Sequence, residues 1–365
     1  MTDLKNIYIL TNTLLKGGAE KQSVLLAAVL NRHFDVHLVL YYGEQVDQGL
    51  LKLTESYGIK LIRLDRSHFH KWWFLFKLFR ANRNSVVFSY LATTNFVNAL
   101  LGRLAGVRFL VGGIRSDEIS LPKLMVQRFL HNRLLNYTIF NNYGGQSALI
   151  KRGFAAKKCK VIHNGIDLSQ EKRNKEIPER QINIVSVGRF VFEKDYFTAI
   201  QSVKKLVDRI KQAGLNLKIK YFLIGYGELE ETVRRQVSEA GLDQVVEVVI
   251  NPPNMARYLA EANIYLSTSL REGLSNAIME AMEYCLPIVA TNVGDNLYLV
   301  EEGFNGYLTA VKDTDTISEK LFYLAANPRL ISEMGGNSYV KLKNGFTMDM
   351  FHKHYSDLID EFKKS

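Results

Sequence analysis

The 365-residue sequence predicts an α/β molecule built of two Rossmann-like halves in succession. Three observations carry this. Apolar runs of strand length, NIYILTN and DVHLVLYY, flank a glycine turn and the helical stretch EKQSVLLAAVLNR, which is the βαβ unit of a parallel sheet. The same alternation restarts at INIVSVGRF, where a strand runs into a glycine ahead of the amphipathic stretch DYFTAIQSVKKLVDRIKQ. Between the two lies a polar, charge-dense tract, SQEKRNKEIPERQ, with the make-up of a linker.

The elements follow in order. The first half, residues 1–168, adds strands at IKLIRL, SVVFSYL, RFLVGGI, YTIFNN and CKVIHNGI, and the linker takes 169–181. The second half, 182–347, carries strands KIKYFLIGYG, QVVEVVI, NIYLSTS, LPIVATNVG and NGYLTAV. Helices ELEETVRRQVSEAG, NMARYLAEA and LSNAIMEAMEYC lie between them. Residues 348–365 make a terminal helix with apolar Met350, Phe351, Tyr355, Leu358, Ile359 and Phe362. Ligands of open α/β sheets sit beyond the carboxyl ends of the strands, so two facing sheets place a ligand in the interdomain cleft.

Composition narrows the function. With 47% hydrophobic and 23% charged residues the chain is an ordinary globular protein. Cys159 and Cys285 are too few for a disulfide framework, which favours a reducing compartment. The N-terminus lacks the charged start and cleavage site of a signal peptide, and no run of about 18 apolar residues could span a membrane. The net charge of +10 is unevenly spread. Residues 1–175 hold 26 Lys+Arg and 11 Asp+Glu, and the remainder hold 21 and 26. The first half therefore suits an anionic partner: nucleic acid, anionic lipid or a pyrophosphate-bearing substrate.

Several strand ends carry glycine or charge. Gly17 and Gly18 follow the first strand, and suit either a plain tight turn or a phosphate approaching a helix N-terminus. They do not form the G-x-G-x-x-G of a dinucleotide site. In VGRFVFEKD, Arg189 and Lys194 fit a diphosphate by forked bonds and by point charge, or else Arg189 pairs with Glu193 on the surface. In REGLSNAIMEAMEYC, Glu272 precedes a helix starting near Ser275 and Glu280 lies inside it. That helix start can hold a phosphate, and a carboxylate such as Glu280 can accept both hydroxyls of a ribose. A favourable helix-dipole contact is the plainer alternative for either glutamate. Asp313-Thr314-Asp315 starts a helix, as a cap and not as a metal ligand pair.

Taken in order, GGAE, IHNGID (162–167), VGRFVFEKD (187–195), LIGYGELEE (223–231), REGLSNAIMEA (271–281), PIVATNVG (287–294) and NGYL (305–308) resemble family 4 of the glycosyltransferases, a retaining group with the GT-B fold. The second half matches nearly throughout, the first only at its ends. The resemblance implies that Arg189 and Lys194 hold the donor diphosphate beside Gly188 and Gly225, and that Gly17 and Gly18 let the opposite half close on it. It further implies that Glu280 binds the ribose and Glu272 the donor sugar. Gly273, Leu274, Ser275, Asn276 and Ala277 would touch sugar and phosphate, and the terminal helix would pack back on the first half.

Two departures from the family pattern stand out. The glycine usual after QVVEVVI is replaced by Ile250-Asn251-Pro252-Pro253, making Ile250, Asn251 and Pro252 the base-pocket candidates. No histidine aligns in Gly112-Gly113-Ile114-Arg115-Ser116-Asp117, so Arg115 and Asp117 become the acceptor-side candidates, with an ion pair to Asp117 or Glu118 the simpler role for Arg115.

The implied reaction is sugar transfer from a nucleotide-diphosphate sugar, UDP being the expected carrier, with retained anomeric configuration by a front-face route in which no covalent nucleophile is settled. Cations and helix N–H groups would neutralise the leaving group without a metal or other cofactor. HFHKWWFLFKLFRANR (68–83) mixes aromatics with Lys71, Lys77, Arg80 and Arg83, the make-up either of a helix in the headgroup zone or of one packed on the sheet. With the basic first half, this suggests a cytoplasmic enzyme, peripheral on the inner face of the membrane, acting on a glycan or polyprenyl-diphosphate-linked acceptor. A sugar-nucleotide epimerase and a non-enzymatic nucleotide-sugar binder are the alternatives. No RNA-recognition signature appears, so no nucleic-acid partner is expected.

Overall fold

The computed structural model describes residues 4, 6–15, 17–65, 67–115, 119–168, 177–178 and 180–364. The chain divides into two compact units, Met1–Gly165 with Phe346–Ser365, and Ile166–Gly345.

The first unit opens with β1 (Asn6–Thr11), α1 (Gly18–Leu30), β2 (Asp35–Leu40), α2 (Gln48–Ser56) and β3 (Lys60–Arg63). Next come α3 (His68–Ala81), β4 (Val86–Ser89), α4 (Ala92–Ala105) and β5 (Phe109–Ile114). Helix α5 (Leu121–Phe129) runs into a π turn at Leu130–Leu134, followed by β6 (Tyr137–Phe140), α6 (Tyr143–Lys151) and β7 (Cys159–Val161). All seven strands pair parallel in the order β3-β2-β1-β4-β5-β6-β7. The central strands are apolar on both faces because helices cover both, as a parallel sheet requires.

The second unit holds β8 (Gln181–Arg189), α7 (Tyr196–Gln212), β9 (Lys218–Tyr226), α8 (Glu230–Glu239) and β10 (Val246–Ile250). It continues with α9 (Met255–Glu261), β11 (Ile264–Ser267), α10 (Asn276–Glu283), β12 (Ile288–Thr291) and α11 (Asn296–Leu299). Strand β13 (Gly306–Thr309), α12 (Thr314–Ala325) and α13 (Pro328–Gly345) complete it. Its six strands are again parallel, in the order β10-β9-β8-β11-β12-β13. Each sheet reverses its order once, at β1/β4 in the first unit and at β8/β11 in the second. Crevices of such sheets open at these points.

Helix α14 (Met348–Lys364) belongs to the first unit. Phe351, Tyr355, Leu358, Ile359 and Phe362 recur at helical spacing and are buried. The Tyr355 ring meets Phe88 at 5.5 Å and Phe362 stacks on Phe109 at 4.5 Å. Met350 is only half-buried; Met348 takes the core position. The linker expected at 169–181 lies largely outside the described residues. Among the described residues no helix is long and apolar enough to cross a membrane.

The 68–83 stretch is helical only to Ala81, and two of its residues turn inward, correcting the expectation that they face lipid. Lys71 is buried, its Nζ donating to the Tyr41 carbonyl at 2.8 Å. Trp72 is half-buried and donates through Nε1 to the Tyr41 hydroxyl at 3.0 Å. The cause is periodicity. Lys71, Leu75 and Phe79 fall on one stripe that the sheet covers, whereas Trp73 and Lys77 fall opposite.

Candidate functional site

Parallel strands bring their carboxyl ends to one edge of the second sheet. There Gly188 of β8 sits level with Gly225 of β9, and Gly225 with Ile250 of β10. A Cβ on Gly225 would collide with the Gly188 carbonyl oxygen, so only glycine permits this approach. A Cβ on Gly188 would meet the Lys194 stem at 3.4 Å, so that side chain lies across the strand end. Arg189 ends β8 exposed to solvent, and among the described residues it makes no pair with Glu193.

Beyond β8 a 3-10 turn at Phe192–Lys194 leads to Asp195, which takes a left-handed φ of 45° and caps α7 through Thr198. Hydroxyls and amides fasten this turn to the loop after β11. Thr268 Oγ1 donates to the carbonyls of Asp195 (2.9 Å) and Lys194 (3.2 Å), and Leu270 N donates to Glu193 O at 2.7 Å. The clasp brings Lys194 Nζ to 2.5 Å from Glu272 Oε1, which also accepts from Ser269 Oγ at 2.8 Å. Ser269 is held in turn by Thr291, whose Oγ1 donates to its carbonyl at 2.6 Å. Gly294, at φ 55°, lies so close beneath that a Cβ would strike the Glu272 carbonyl, and Asp295 N donates to Gly273 O at 3.0 Å. Glu272 Oε2 has no partner among the described residues.

Ser275 caps α10, its hydroxyl accepting from Ile278 N at 3.4 Å. Gly273 is half-buried and Leu274 buried ahead of the cap, and Asn276 and Ala277 begin the helix with their N–H groups toward its positive end. Glu280 lies half-buried one turn on. Between the two glutamates stands Tyr265, whose hydroxyl donates to Val187 O at 3.3 Å. Burial first, and the charge of Glu272 next, hold that phenol above its ordinary range, with Glu280 adding to the effect. Past β10, Asn251 adopts φ 40° and donates its N–H to Gly225 O at 3.2 Å. This sets Ile250 and Asn251 beside Gly225, with Pro252 next in the chain. Asp313 caps α12, accepting from Thr316 N at 3.0 Å.

In the first unit, Gly17 is the extended residue before α1 and Gly18 its first residue. The Glu20 carboxylate lies against Gly17, where a Cβ would collide with it. Arg115 follows β5. It stacks on the Tyr90 ring at 4.5 Å and donates to Asn164 Oδ1 at 3.0 Å, and its Nε is buried without a partner among the described residues. Asp117, and with it the pair expected for Arg115, lies outside the described residues. Arg115 borders a cavity of about 260 Å³ with Leu91, Asn95, Gly113, Lys123 and Gln127. Leu91 is held at φ 75° and ψ 164°, a conformation that side chains rarely adopt and that clusters at functional sites. Asn95 anchors the floor, accepting from Gly113 N (3.1 Å) and Ser89 Oγ (2.8 Å).

Sequence reasoning missed Thr268, Ser269, Tyr265 and Asn95. The hydroxyl run within YLSTS and the polar pair Asn95/Asn98 on an apolar helix were the available signals. Nothing in the sequence marked Leu91.

Comparison with known proteins follows the same lines. Residues 168–341, nearly all of the second unit, match the family model described as Glycosyl transferases group 1. The capsular polysaccharide biosynthesis glycosyltransferase CapH of Staphylococcus aureus is 25% identical over 77% of this chain and 79% of its own length. The N-acetylgalactosamine-N,N'-diacetylbacillosaminyl-diphospho-undecaprenol 4-alpha-N-acetylgalactosaminyltransferase of Campylobacter jejuni is 24% identical over 79% of this chain and 81% of its own. Among solved structures, Anabaena Alr3699/HepE in complex with UDP superposes with a TM-score of 0.82 at 19% identity, covering 98% of this chain and 100% of that one.

Proposed function

The chain is a glycosyltransferase with the GT-B fold that acts in glycan biosynthesis, and from that premise we propose that it moves a sugar from a UDP-sugar to a polyprenyl-diphosphate-linked glycan. The observation that carries the reading is the Lys194–Glu272 pair at the β8/β11 reversal, with Arg189 exposed at the end of β8 and without an ion-pair partner among the described residues. A departing nucleoside diphosphate gains negative charge, and fixed cations lower the barrier by meeting it. Lys194, Arg189 and the first N–H groups of α10 supply such a field. Glu272 orients Lys194 through Oε1 and offers Oε2 to a sugar hydroxyl. Glu280 takes the ribose diol, and Ile250 to Pro252 face the base. Arg115 and Lys123 line the acceptor side.

In this reading Glu272 is an orienting group tied into a salt bridge and not a covalent nucleophile, and transfer retains the anomeric configuration. The named C. jejuni relative is a 4-alpha-N-acetylgalactosaminyltransferase acting on a diphospho-undecaprenol-linked acceptor, which supports the choice of acceptor. The cations remove the need for a divalent ion. Helix α3 brings the enzyme to the inner leaflet, where such an acceptor resides. The test is transfer from UDP-sugars to undecaprenyl-diphosphate-linked oligosaccharides, with product stereochemistry read by NMR. Turnover unchanged by EDTA and an α product from an α donor are expected. Abolition by EDTA, or an inverted product, contradicts the reading.

A further inference from the structure

Helices α3 and α4 and the π turn after α5 cover one face of the first sheet, bound by a common core with Leu75, Phe79, Val97, Leu101 and Leu130. Their outer sides are unusual. Trp73 is 52% exposed on α3 and Leu104 64% on α4. On α5, Leu121, Met125 and Phe129 recur every four residues, at 75%, 63% and 59% exposure. A single exposed leucine is ordinary, but a row of large apolar side chains across neighbouring helices marks an interaction surface.

Charge identifies the occupant. Residues 66–166 hold sixteen Lys and Arg but only Asp117 and Glu118 as acids, and α3, α4 and α5 carry none. At the end of α3, Arg80 Nη1 and Arg83 Nε both come within 4.0 Å of the point where a Cβ on Gly106 would stand. Neither has a carboxylate partner among the described residues. Beside them a shallow polar cavity of about 550 Å³ is lined by Asn82, Asn84 and Ser85, whose buried Oγ also lacks a partner among the described residues. Two converging guanidinium groups repel unless an anion lies between them, and forked N–H donors match phosphate oxygens.

We infer that α3, α4 and α5 together form a docking face for an anionic lipid leaflet, with the Leu121–Met125–Phe129 stripe entering it and Arg80 with Arg83 seating a lipid phosphate. The inference rests on the peripheral reading above and extends it from one helix to three. Interfacial helices combine these same features, apolar side chains that enter the acyl boundary and cations that meet headgroups.

The experiment is co-sedimentation with phosphatidylglycerol–phosphatidylcholine vesicles and with pure phosphatidylcholine vesicles. Leu121→Ser/Met125→Ser/Phe129→Ser should lower partitioning to both about tenfold or more. Arg80→Gln/Arg83→Gln should lower it about tenfold for the anionic vesicles alone. Brominated phosphatidylcholine should quench Trp73 emission in the wild type and less in the triple variant. Turnover of a soluble acceptor should be the same in all three proteins, which separates failure of this inference from failure of the transferase reading. Wild-type partitioning by both variants overturns the inference. So does a triple variant that binds vesicles normally while a wild-type dimer falls to monomers, which would make a second copy the occupant.

Discussion

Lys194 and Glu272 stand 78 positions apart in the chain and meet at 2.5 Å because three hydrogen bonds, two from Thr268 Oγ1 and one from Leu270 N, fasten their loops together. In the proposed reaction that convergence gives one lysine a fixed geometry, which electrostatic catalysis needs. Lys194→Ala should lower kcat about 10²- to 10³-fold while shifting the melting temperature by a few degrees at most. Glu272→Gln should show the same asymmetry, and the double variant should lose far less than the product of the two, since each acts through the other. Steady-state kinetics beside thermal melts decide it, and additive losses would contradict the coupling. Arg189, Lys194 and Glu272 stand out in the sequence as candidates because each sits at a strand-to-helix junction that glycine or a capping serine marks, and Glu280 because it lies inside the helix that the serine caps. Thr268, Ser269 and Thr291 do not. A hydroxyl's partner is set by how loops approach in space, and nothing local to the sequence encodes that.

At the scale of elements, strands were the most readable parts, because parallel strands buried on both faces leave continuous apolar runs. Helix faces were harder. In α3 the cation expected in solvent, Lys71, turned inward because a lysine stem packs well when its ammonium reaches a carbonyl. The π turn at Leu130–Leu134 carries no sequence mark, yet it buries His131. That imidazole accepts from Thr138 Oγ1 at 2.8 Å and, since a carbonyl can only accept, donates through Nε2 to Ala155 O at 3.1 Å. Burial lowers its pKa from 6.5 to about 4, with the nearby Lys158 charge acting in the same direction. A base whose folded pKa is depressed takes up protons more readily when unfolded. Stability is therefore full above about pH 6.5 and falls as pH drops toward 4, by up to about 3 kcal/mol. Urea unfolding at pH 7 and pH 4.5 should show this fall in the wild type and a smaller one in His131→Gln. Equal falls would assign the acid sensitivity elsewhere.

Across the whole molecule, two sheets of the same topological kind carry different chemistry. The first unit is strongly basic and offers Arg115, Lys123 and an acid-poor helical face, whereas the second is slightly acidic and holds the paired lysine and glutamates. That division was readable from charge counts and from the restart of the strand–helix alternation. The return of the chain at Phe346 to finish the first unit showed in the residues only as an amphipathic stripe, and the family resemblance alone pointed to the first half as its partner. In the proposed function the second unit grips a nucleoside diphosphate at the carboxyl edge of its sheet. Calorimetric titration of UDP into the wild type, Arg189→Ala and Glu280→Ala tests this most directly. Saturable binding by the wild type, weakened about tenfold or more in each variant, is predicted; undiminished UDP affinity in both variants would contradict it.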